Sequence, residues 1–296
     1  MKIYNELGEV TEITTPVETI KLCHSLSSRP IKSALLKGNS KAFVQYWYTA
    51  WSILSAKANL HTCKFNLHTD DIGKRLLEGL PYDNIVVDLN ELDTHINLFA
   101  SAKYLALQKE ELGTIHIDGD VILDSPMASE MLNYEMCDII VQNYESTYRR
   151  EIMFIKPIIH RAEEYFGKGA FCCGIIGFNK QAAKDKFIDS YFSFARTLNS
   201  YPDLIDKINK YQPDVIFDLL FEQANLYTLC LNNKYTVKRL CRKLADIFEL
   251  RHSGVNHYIS KIKYLEENIA KCKAAVKEMA PEIYERLSKA EMEGLE

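Results

Sequence analysis

The sequence lacks an excess of charge of either sign: 36 lysines and arginines stand against 40 aspartates and glutamates, and the net charge is −4. A groove for nucleic acid needs clustered cations, so this balance argues against a nucleic-acid partner. No apolar run approaches the roughly 20 residues that cross a membrane. The opening residues MKIYNELGEVTEITT are too polar for a signal peptide. We therefore expect a cytoplasmic protein without a transmembrane segment.

Several motifs that would indicate an enzyme class are also missing. The chain has no GxSxG for a serine hydrolase, no GxxxxGK[ST] for a P-loop and no HExxH for a zinc protease. None of its eight cysteines forms a CxxC pair, and scattered thiols in apolar surroundings are typical of reduced, buried side chains. No repeat or Pro/Gly/Ser linker divides the 296 residues, a length that suits one large α/β domain or two small ones.

Strand-like and helix-like segments alternate from Val44 onward. Apolar residues at helical spacing predict a helix from Val44, and further helices are predicted at 73–79, 97–111, 181–199 and 214–231. Strands are predicted at 64–70, 84–89, 115–123, 138–144 and 171–179. This alternation predicts an α/β fold with a mainly parallel central sheet. Residues 1–40 give a weaker pattern, and we expect a short strand and a turn-rich segment there.

The tail from about residue 256 carries apolar residues at helical spacing with charges between them: Ile262, Leu265, Ile269, Cys272, Val276 and Met279. The pattern predicts a helix docked on the core. A helix that binds a partner, including a second copy of the chain, is the alternative. We accordingly expect one large domain at 1–255 and a C-terminal helical extension at 256–296.

The stretch IHIDGDVILD at 115–124 places Asp118 and Asp120 between two apolar runs. Two carboxylates so close in a buried setting repel each other and lose solvation. A polar turn after a strand is one interpretation. The other is a site for a hard divalent cation, because alternate residues of an extended chain point the same way. The second interpretation predicts Mn²⁺ or Mg²⁺ held by Asp118 and Asp120.

Four blocks in order, KFNLHTDDIGKRLL, LPYDNIV, FASAKYLALQKEELGTIHIDGDVIL and FCCGIIGFNK, resemble a GT-A-type glycosyltransferase. The resemblance covers roughly residues 44–263 and is strongest to uncharacterised bacterial members distantly akin to the glycogenin and lipopolysaccharide galactosyltransferase group. It implies a Rossmann-type sandwich in which Asp118 and Asp120 bind the metal of a nucleoside-diphosphate sugar. The acceptor, whether glycan, lipid or protein, is left open, and kinship with glycogenin favours retention of configuration.

The same resemblance implies roles around the donor. Lys103 matches a basic residue near the donor sugar and phosphates, with a solvated helix lysine as the alternative. Asp70 and Asp71 match the strand end near the nucleotide, where a helix N-cap is the competing role. Gly174 and Gly177 match a strand that passes close to the donor or acceptor, although Cys172-Cys173 stand where the family has a polar residue.

The segment DLLFEQANL at 218–226 resembles the family's acidic-Gln segment beside the reacting anomeric carbon. It implies that Glu222 and Gln223 are the catalytic residues, and a surface helix is the alternative interpretation. A side-chain amide or carboxylate in that place would stabilise an oxocarbenium-like transition state.

Two carboxylates fill only part of a six-coordinate shell, and the glycogenin group adds a histidine from a late His-x-x-Gly-x-x-Lys segment. The stretch RHSGVNHYISKIK offers two candidates. His257 is followed by Lys261 but lacks the glycine, whereas His252 has a glycine two residues later. We favour His257 as the third metal ligand, with Lys261 directed to the diphosphate, and ordinary surface or core histidines are the alternative.

Two other function classes compete with this prediction. DGDVILDS superficially resembles the nucleophile loop of haloacid-dehalogenase-like phosphatases, but there the glycine follows the second aspartate, whereas Val121 follows Asp120 here. A non-catalytic module that keeps a nucleotide-sugar cleft is the second rival. Release of inorganic phosphate from a generic phosphoester tests the first, and binding measured beside turnover tests the second.

Overall fold

The computed structural model describes residues 2–4, 10–12, 19–60, 62–92, 98, 100–146, 148–157, 159–201, 217, 219–242 and 247–295. Its strands, β1 to β11 in chain order, are Lys2–Tyr4, Val10–Glu12, Ile20–Leu26, Cys63–Thr69, Asn84–Val87, Ile115–Ile117, Val121–Leu123, Ile139–Glu145, Ala170–Phe178, Val237–Arg239 and Val255–His257.

Twelve α-helices accompany these strands in the described part of the chain. In chain order, α1 to α12 are Ser28–Leu36, Val44–Asn59, Asp71–Leu77, Ala100–Lys109, Ala128–Leu132, Arg149–Ile155, Ala162–Phe166, Gln181–Asn199, Asn225–Asn233, Ile247–His252, Glu266–Met279 and Pro281–Glu293. Two 3-10 helices, Ser40–Phe43 and Ser260–Tyr264, and one π-helix, Leu219–Ala224, join them.

Seven strands form the central sheet in the order β10-β8-β9-β6-β3-β4-β5. Strand β9 is antiparallel to both of its neighbours, and every other adjacent pair is parallel. Six strands therefore end at one edge, where ligands of open α/β sheets bind. The predicted fold class, a mainly parallel α/β sheet with a C-terminal helical tail, is confirmed.

A second, two-stranded sheet pairs β7 with β11 in antiparallel register, so that His257 lies opposite Val121. The chain leaves the central sheet at the end of β6 and enters this small sheet at β7, and only Asp118, Gly119 and Asp120 lie between. The turn is tight, since the Val121 amide donates to the Asp118 carbonyl at 2.9 Å. The two acids thus lie where two sheets meet, and β11 crosses the domain boundary predicted at 255/256.

Helices cover both faces of the sheet. One hydrophobic core joins α2 to the C-terminal helices and includes Trp47, Cys272 and Ile283, all fully buried. The other joins α4, α8 and the segment 217–230 around Tyr104 and Phe187. This three-layer arrangement is what strand-helix alternation dictates, because each face of a parallel sheet is apolar and needs cover.

Local patterns located most elements correctly. The helix from Val44, the strands near 64–70 and 171–179 and the helix at 181–199 are confirmed. Residues 1–40 contain strand structure, as expected, but the helix α1 lies where only a turn-rich segment was predicted. The tail consists of two helices that break at Ala280-Pro281, since proline fits the first helical turn but not a helix interior.

Six of the eight cysteines are buried, as expected for scattered thiols in apolar surroundings: Cys23, Cys172, Cys173, Cys230, Cys241 and Cys272. In the described ranges, no helix has both the length and the apolar composition required to cross a membrane.

A buried imidazole links β4, β5 and the end of α4. His68 contacts Asp88 through Nδ1 at 2.8 Å and Glu110 through Nε2 at 2.9 Å. Burial alone would lower the pKa of His68, but the hydrogen bonds to the two carboxylates outweigh it and raise the pKa above its usual value. Asp88 also pairs with Lys109 at 3.0 Å. The charged His68 imidazole therefore connects two strands to the helix that carries Lys103 through its ionic hydrogen bonds.

We predict that His68→Gln destabilises the fold more at pH 6 than at pH 9. A raised folded pKa contributes stability below the unfolded value of about 6.5, and this contribution is lost as the pH rises through the folded pKa. At pH 6 the loss of a buried charged partner should cost on the order of 3 kcal/mol. Urea unfolding at both pH values measures the difference.

His24→Gln is the matched control. His24 lies on the neighbouring strand β3, hydrogen-bonded to Tyr82 at 2.7 Å and Ser52 at 3.1 Å. Burial lowers the pKa of His24 to about 3, so the imidazole is neutral throughout this range. Its replacement should lower the free energy of unfolding by the same amount at pH 6 and pH 9. An equally pH-independent loss for His68→Gln would contradict a charged His68.

Candidate metal centre

Asp118, Asp120 and His257 come together at the carboxyl edge of the sheet. One ligand atom from each residue lies within 4.8 Å of the other two. Asp120 Oδ1 is 3.3 Å from His257 Nε2, and both side chains are only 7% exposed. Asp118 keeps 33% of its side chain exposed. The cluster is therefore buried on two sides and open to solvent on the side of Asp118.

The orientation of His257 follows from its other ring nitrogen. Nδ1 lies 2.6 Å from Gln142 Oε1, and a ring nitrogen that donates to an amide oxygen leaves the other nitrogen as an acceptor. His257 Nε2 then meets the Asp120 carboxylate either through a proton of its own or through a cation that lies between the two atoms. The contact at 3.3 Å is therefore compatible with a bound cation.

Glycine at 174 is what allows the imidazole to lie there. A Cβ on Gly174 would come within 2.3 Å of His257 Cε1 and 2.8 Å of Gln142 Oε1. Gly177, by contrast, faces the core, where a Cβ would meet Tyr134 and the apolar side chains of Ile115 and Ile140. The two glycines predicted at the donor therefore have different surroundings, and only Gly174 touches the cluster.

Two ammonium groups accompany the carboxylates. Lys103 Nζ is 2.9 Å from Asp118 Oδ1 and 2.8 Å from Glu222 Oε1, and it donates to the Cys173 carbonyl at 2.9 Å. Burial would lower the pKa of Lys103, but Asp118 and Glu222 raise it well above its usual value. Lys103 is thus a buried, charged member of the cluster and not a solvated helix residue.

Lys263 is the second ammonium group. Its Nζ lies 2.9 Å from Asp120 Oδ2 and 3.4 Å from Gln45 Oε1. Burial would raise the pKa of Asp120, but Lys263 and His257 outweigh it and hold that pKa well below its usual range. Asp120 is therefore an ionised carboxylate with a cationic partner already in place.

A protein-family model described as a family of unknown function, DUF6734, matches residues 20–290. The chain belongs to this family. A comparison with curated proteins finds no significant match.

Among solved structures, the chain is similar to the bifunctional glycosyltransferase WbbM, with 12% identity and a TM-score of 0.45 over 90% of this chain and 51% of that one. It is similar to the glycosyltransferase GlyE of Streptococcus pneumoniae TIGR4, with 11% identity and a TM-score of 0.42 over 92% of this chain and 64% of that one. The chain is also similar to an active-site mutant of LgtC, with 13% identity and a TM-score of 0.35 over 68% of this chain and 70% of that one. The chain thus spans about half of WbbM and under two thirds of GlyE.

The remaining predicted residues of this family member lie around the cluster or apart from it. Glu222 is buried in the π-helix, where it also accepts from the Tyr104 hydroxyl at 2.7 Å. Gln223 is half-buried beside Tyr148, with 2.6 Å between Tyr148 Oη and Gln223 Oε1. His252 is exposed at the end of α10. The side chain of Lys261 lies outside the described residues.

Asp70 and Asp71 occupy the same edge of the sheet but differ in their bonding. Asp70 caps α3 by accepting from the Gly73 amide at 2.9 Å, and both of its oxygens also bond Ser28. Asp71 is exposed and accepts from the Asn90 side chain at 2.9 Å. The competing N-cap role thus falls on Asp70.

Sequence reasoning missed Lys263 and Gln142. The lysine had a detectable signal: it follows His257 by six positions, as in His-x-x-Gly-x-x-Lys, with Ser260 in place of the glycine. Lys261, the predicted residue, is nearer to His257 in the sequence but does not have this spacing. Gln142 lies in a buried strand, and no local pattern distinguishes it from other strand residues.

We predict that Gly174→Ala displaces His257 and abolishes stabilisation of the protein by Mn²⁺. The added methyl cannot fit at 2.3 Å from the imidazole, so the ring must move, at a cost of about 1–3 kcal/mol in folding stability. Thermal unfolding with and without Mn²⁺ measures both effects.

Gly177→Ala is the control, because its methyl would overpack the same strand, with 2.7 Å to Tyr134 Oη, without touching the cluster. This variant should lose folding stability and keep its response to Mn²⁺. An unchanged Mn²⁺ response in Gly174→Ala would contradict the placement of His257.

Proposed function

We propose that the protein is a metal-dependent glycosyltransferase that moves a sugar from a nucleoside-diphosphate sugar to an acceptor. The observation that carries the proposal is the grouping of Asp118, Asp120 and His257, in which His257 Nε2 lies 3.3 Å from Asp120 Oδ1 and Asp118 stays partly exposed. The order of sequence blocks that resemble GT-A-type enzymes supports it independently. Both point to the same acids and to the same edge of the sheet.

The three side chains fit a hard divalent cation. Two ligands at right angles, each about 2.1 Å from a cation, lie roughly 3.0 Å apart, close to the 3.3 Å between Asp120 Oδ1 and His257 Nε2. Carboxylates with one imidazole suit Mn²⁺ or Mg²⁺ and leave positions for phosphate oxygens and water. When bound, such a cation neutralises the charge that develops on a departing diphosphate.

The lysines complete this electrostatic environment. Lys263 has the spacing from His257 at which the glycogenin group carries its diphosphate lysine, and we assign it the role first predicted for Lys261. Lys103 lies between Asp118 and Glu222, so it orients both acids and presents positive charge at the sugar end of the donor. Preorganised charges of this kind stabilise the leaving group without moving during the reaction.

A cavity at the same edge of the sheet offers a place for the nucleoside. Its volume is about 660 Å³, within the usual range for ligand sites. Polar side chains at its rim include Arg29, Lys32, Asp71 and Asn90, while Leu89 and Ile72 supply apolar surface. We propose that Asp71, more than the fully bonded Asp70, contacts the ribose or base.

Glu222 and Gln223 are assigned to the chemical step. Glu222 is fixed by Lys103 and Tyr104, and Gln223 by Tyr148, so both side chains are oriented and not free on a surface. A polar group held near the anomeric carbon stabilises positive charge on the sugar as the diphosphate departs. Retention of configuration, the outcome favoured by the glycogenin resemblance, is part of this proposal.

We predict that Asp120→Asn abolishes Mn²⁺-dependent binding of nucleotide-sugar and lowers turnover about 100-fold or more. His257→Ala should weaken the same binding. A screen of nucleotide-sugars by Mn²⁺-dependent thermal stabilisation identifies the donor, and calorimetry with a turnover assay then measures both quantities.

Asp124→Asn and His252→Ala are the matched controls, because both residues are exposed and lie outside the cluster. Neither should change donor binding. Full donor hydrolysis by Asp120→Asn would overturn the proposal, and tight binding without turnover in the wild type would favour the non-catalytic module.

We predict that Glu222→Gln and Gln223→Ala each lower turnover by about 10- to 100-fold while donor affinity changes less than about threefold. The reason is that both side chains are assigned to the charge that forms only in the transition state. Gln181→Ala, which removes an exposed amide on α8, is the control and should leave both quantities unchanged. Equal, mild effects on turnover and affinity would remove both residues from the chemical step.

A further inference from the structure

Both acids of the proposed metal pair are already neutralised by lysines of the chain. Lys103 pairs with Asp118 and Lys263 with Asp120, each at 2.9 Å. If the proposed function is right, as this inference requires, a divalent cation must therefore enter a site whose carboxylates already have cationic partners. The structure shows which of the two lysines is the better held.

Lys103 is fixed. Its ammonium group has three acceptors, Asp118, Glu222 and the Cys173 carbonyl, all within 2.9 Å, and its side chain is 7% exposed. It lies on α4, a ten-residue helix packed in the core. Three strong acceptors in buried surroundings hold this ammonium group in place.

Lys263 is held more loosely. It has one close acceptor, Asp120 Oδ2, and a second at 3.4 Å, Gln45 Oε1. Its side chain is 18% exposed, and it lies on the single-turn 3-10 helix Ser260–Tyr264. A lysine has a flexible four-carbon stem, so its ammonium group can reach a new partner without movement of the backbone.

A cation bound between Asp120 and His257 would share the Asp120 carboxylate with Lys263. The two oxygens of that carboxylate belong to different partners, Oδ1 to His257 and Oδ2 to Lys263. Two positive charges on one carboxylate repel at short range in a buried site. A diphosphate adjacent to both would supply the negative charge that relieves this repulsion.

We propose that Lys263 is an internal counter-cation that holds Asp120 in the donor-free protein and transfers to the donor's diphosphate when the divalent cation binds. Metal and diphosphate then strengthen each other's binding. The diphosphate relieves the repulsion between the cation and Lys263, and the cation frees Lys263 to bind the diphosphate. By reciprocity, the factor by which diphosphate raises metal affinity equals the factor by which metal raises diphosphate affinity.

Lys263→Met tests this exchange, since methionine keeps most of the aliphatic stem and removes the charge. Titration of the nucleotide-free protein with Mn²⁺ alone should show at least about tenfold tighter binding than in the wild type, equivalent to 1.4 kcal/mol. Adding UDP, GDP, CDP and ADP in turn should strengthen Mn²⁺ binding in the wild type and much less in the variant. A lysine that merely supports the fold would produce neither change.

Two control variants isolate the ion pair. Lys263→Arg keeps the charge and should bind Mn²⁺ within about threefold of the wild type. Lys271→Met removes an exposed lysine of the same C-terminal segment, whose ammonium group lies 3.4 Å from the Tyr258 hydroxyl and over the Trp51 ring. It should also match the wild type, which separates a contact effect from a general change in net charge.

The outcomes distinguish this inference from the proposed function. If the wild type binds Mn²⁺ and Lys263→Met binds it equally or more weakly, the exchange is overturned and the metal centre stands. If neither the wild type nor any variant binds Mn²⁺, with or without a nucleoside diphosphate, both the metal centre and the exchange are overturned.

Discussion

The His257 imidazole and the Asp120 carboxylate meet across 3.3 Å, and the rest of the site is arranged around this contact. Strand β11 brings His257 to β7 by backbone pairing, the Gln142 side chain orients the ring, and the bare backbone at Gly174 leaves room for it. Each of these is an ordinary structural device. Together they hold an imidazole nitrogen and a carboxylate oxygen 3.3 Å apart, where a proton or a cation between the two atoms makes the contact favourable.

Charge balance explains why the acids can be buried at all. Asp118, Asp120 and Glu222 form a group of three carboxylates, and isolated buried carboxylates would gain protons or unfold the site. Lys103 and Lys263 offset two of the three charges. The pKa of Asp118 is nevertheless raised, by burial first and then by the neighbouring acids, although Lys103 opposes the shift. The residual negative charge is what suits the cluster to a divalent cation.

Sequence patterns could predict the elements and the acids but not the partners of the acids. Asp118 and Asp120 stand out because apolar runs flank them, and His257 lies beside them whereas His252 lies outside the cluster. The burial of Lys103 had no local signal, because Glu222 comes from 119 residues later in the chain. The bounds of strand β3 could not be predicted because IKLCHSL has polar residues on buried faces, such as His24, whose ring is hydrogen-bonded to Tyr82 and Ser52. Polar residues that are satisfied by distant partners look like loop residues until the fold is known.

The C-terminal segment both closes the fold and completes the site. Helix α11 packs Cys272 and Val276 against the core that contains α2, and Lys273 lies over the Trp47 ring. Cys272 and Val276 of the predicted apolar stripe are thus used within the chain, whereas Ile262, Leu265 and Met279 are exposed, and a partner at the C-terminal helices remains a prediction. The residues that precede these helices supply His257 and Lys263, and the Tyr48 hydroxyl donates to the Lys263 carbonyl at 3.3 Å. Since α2 also packs against Gly119, where a Cβ would meet Thr49 Oγ1 at 2.3 Å, one helix positions both the acids and the segment that faces them. Helix α2 therefore connects the docked tail to the cluster of Asp118, Asp120 and His257.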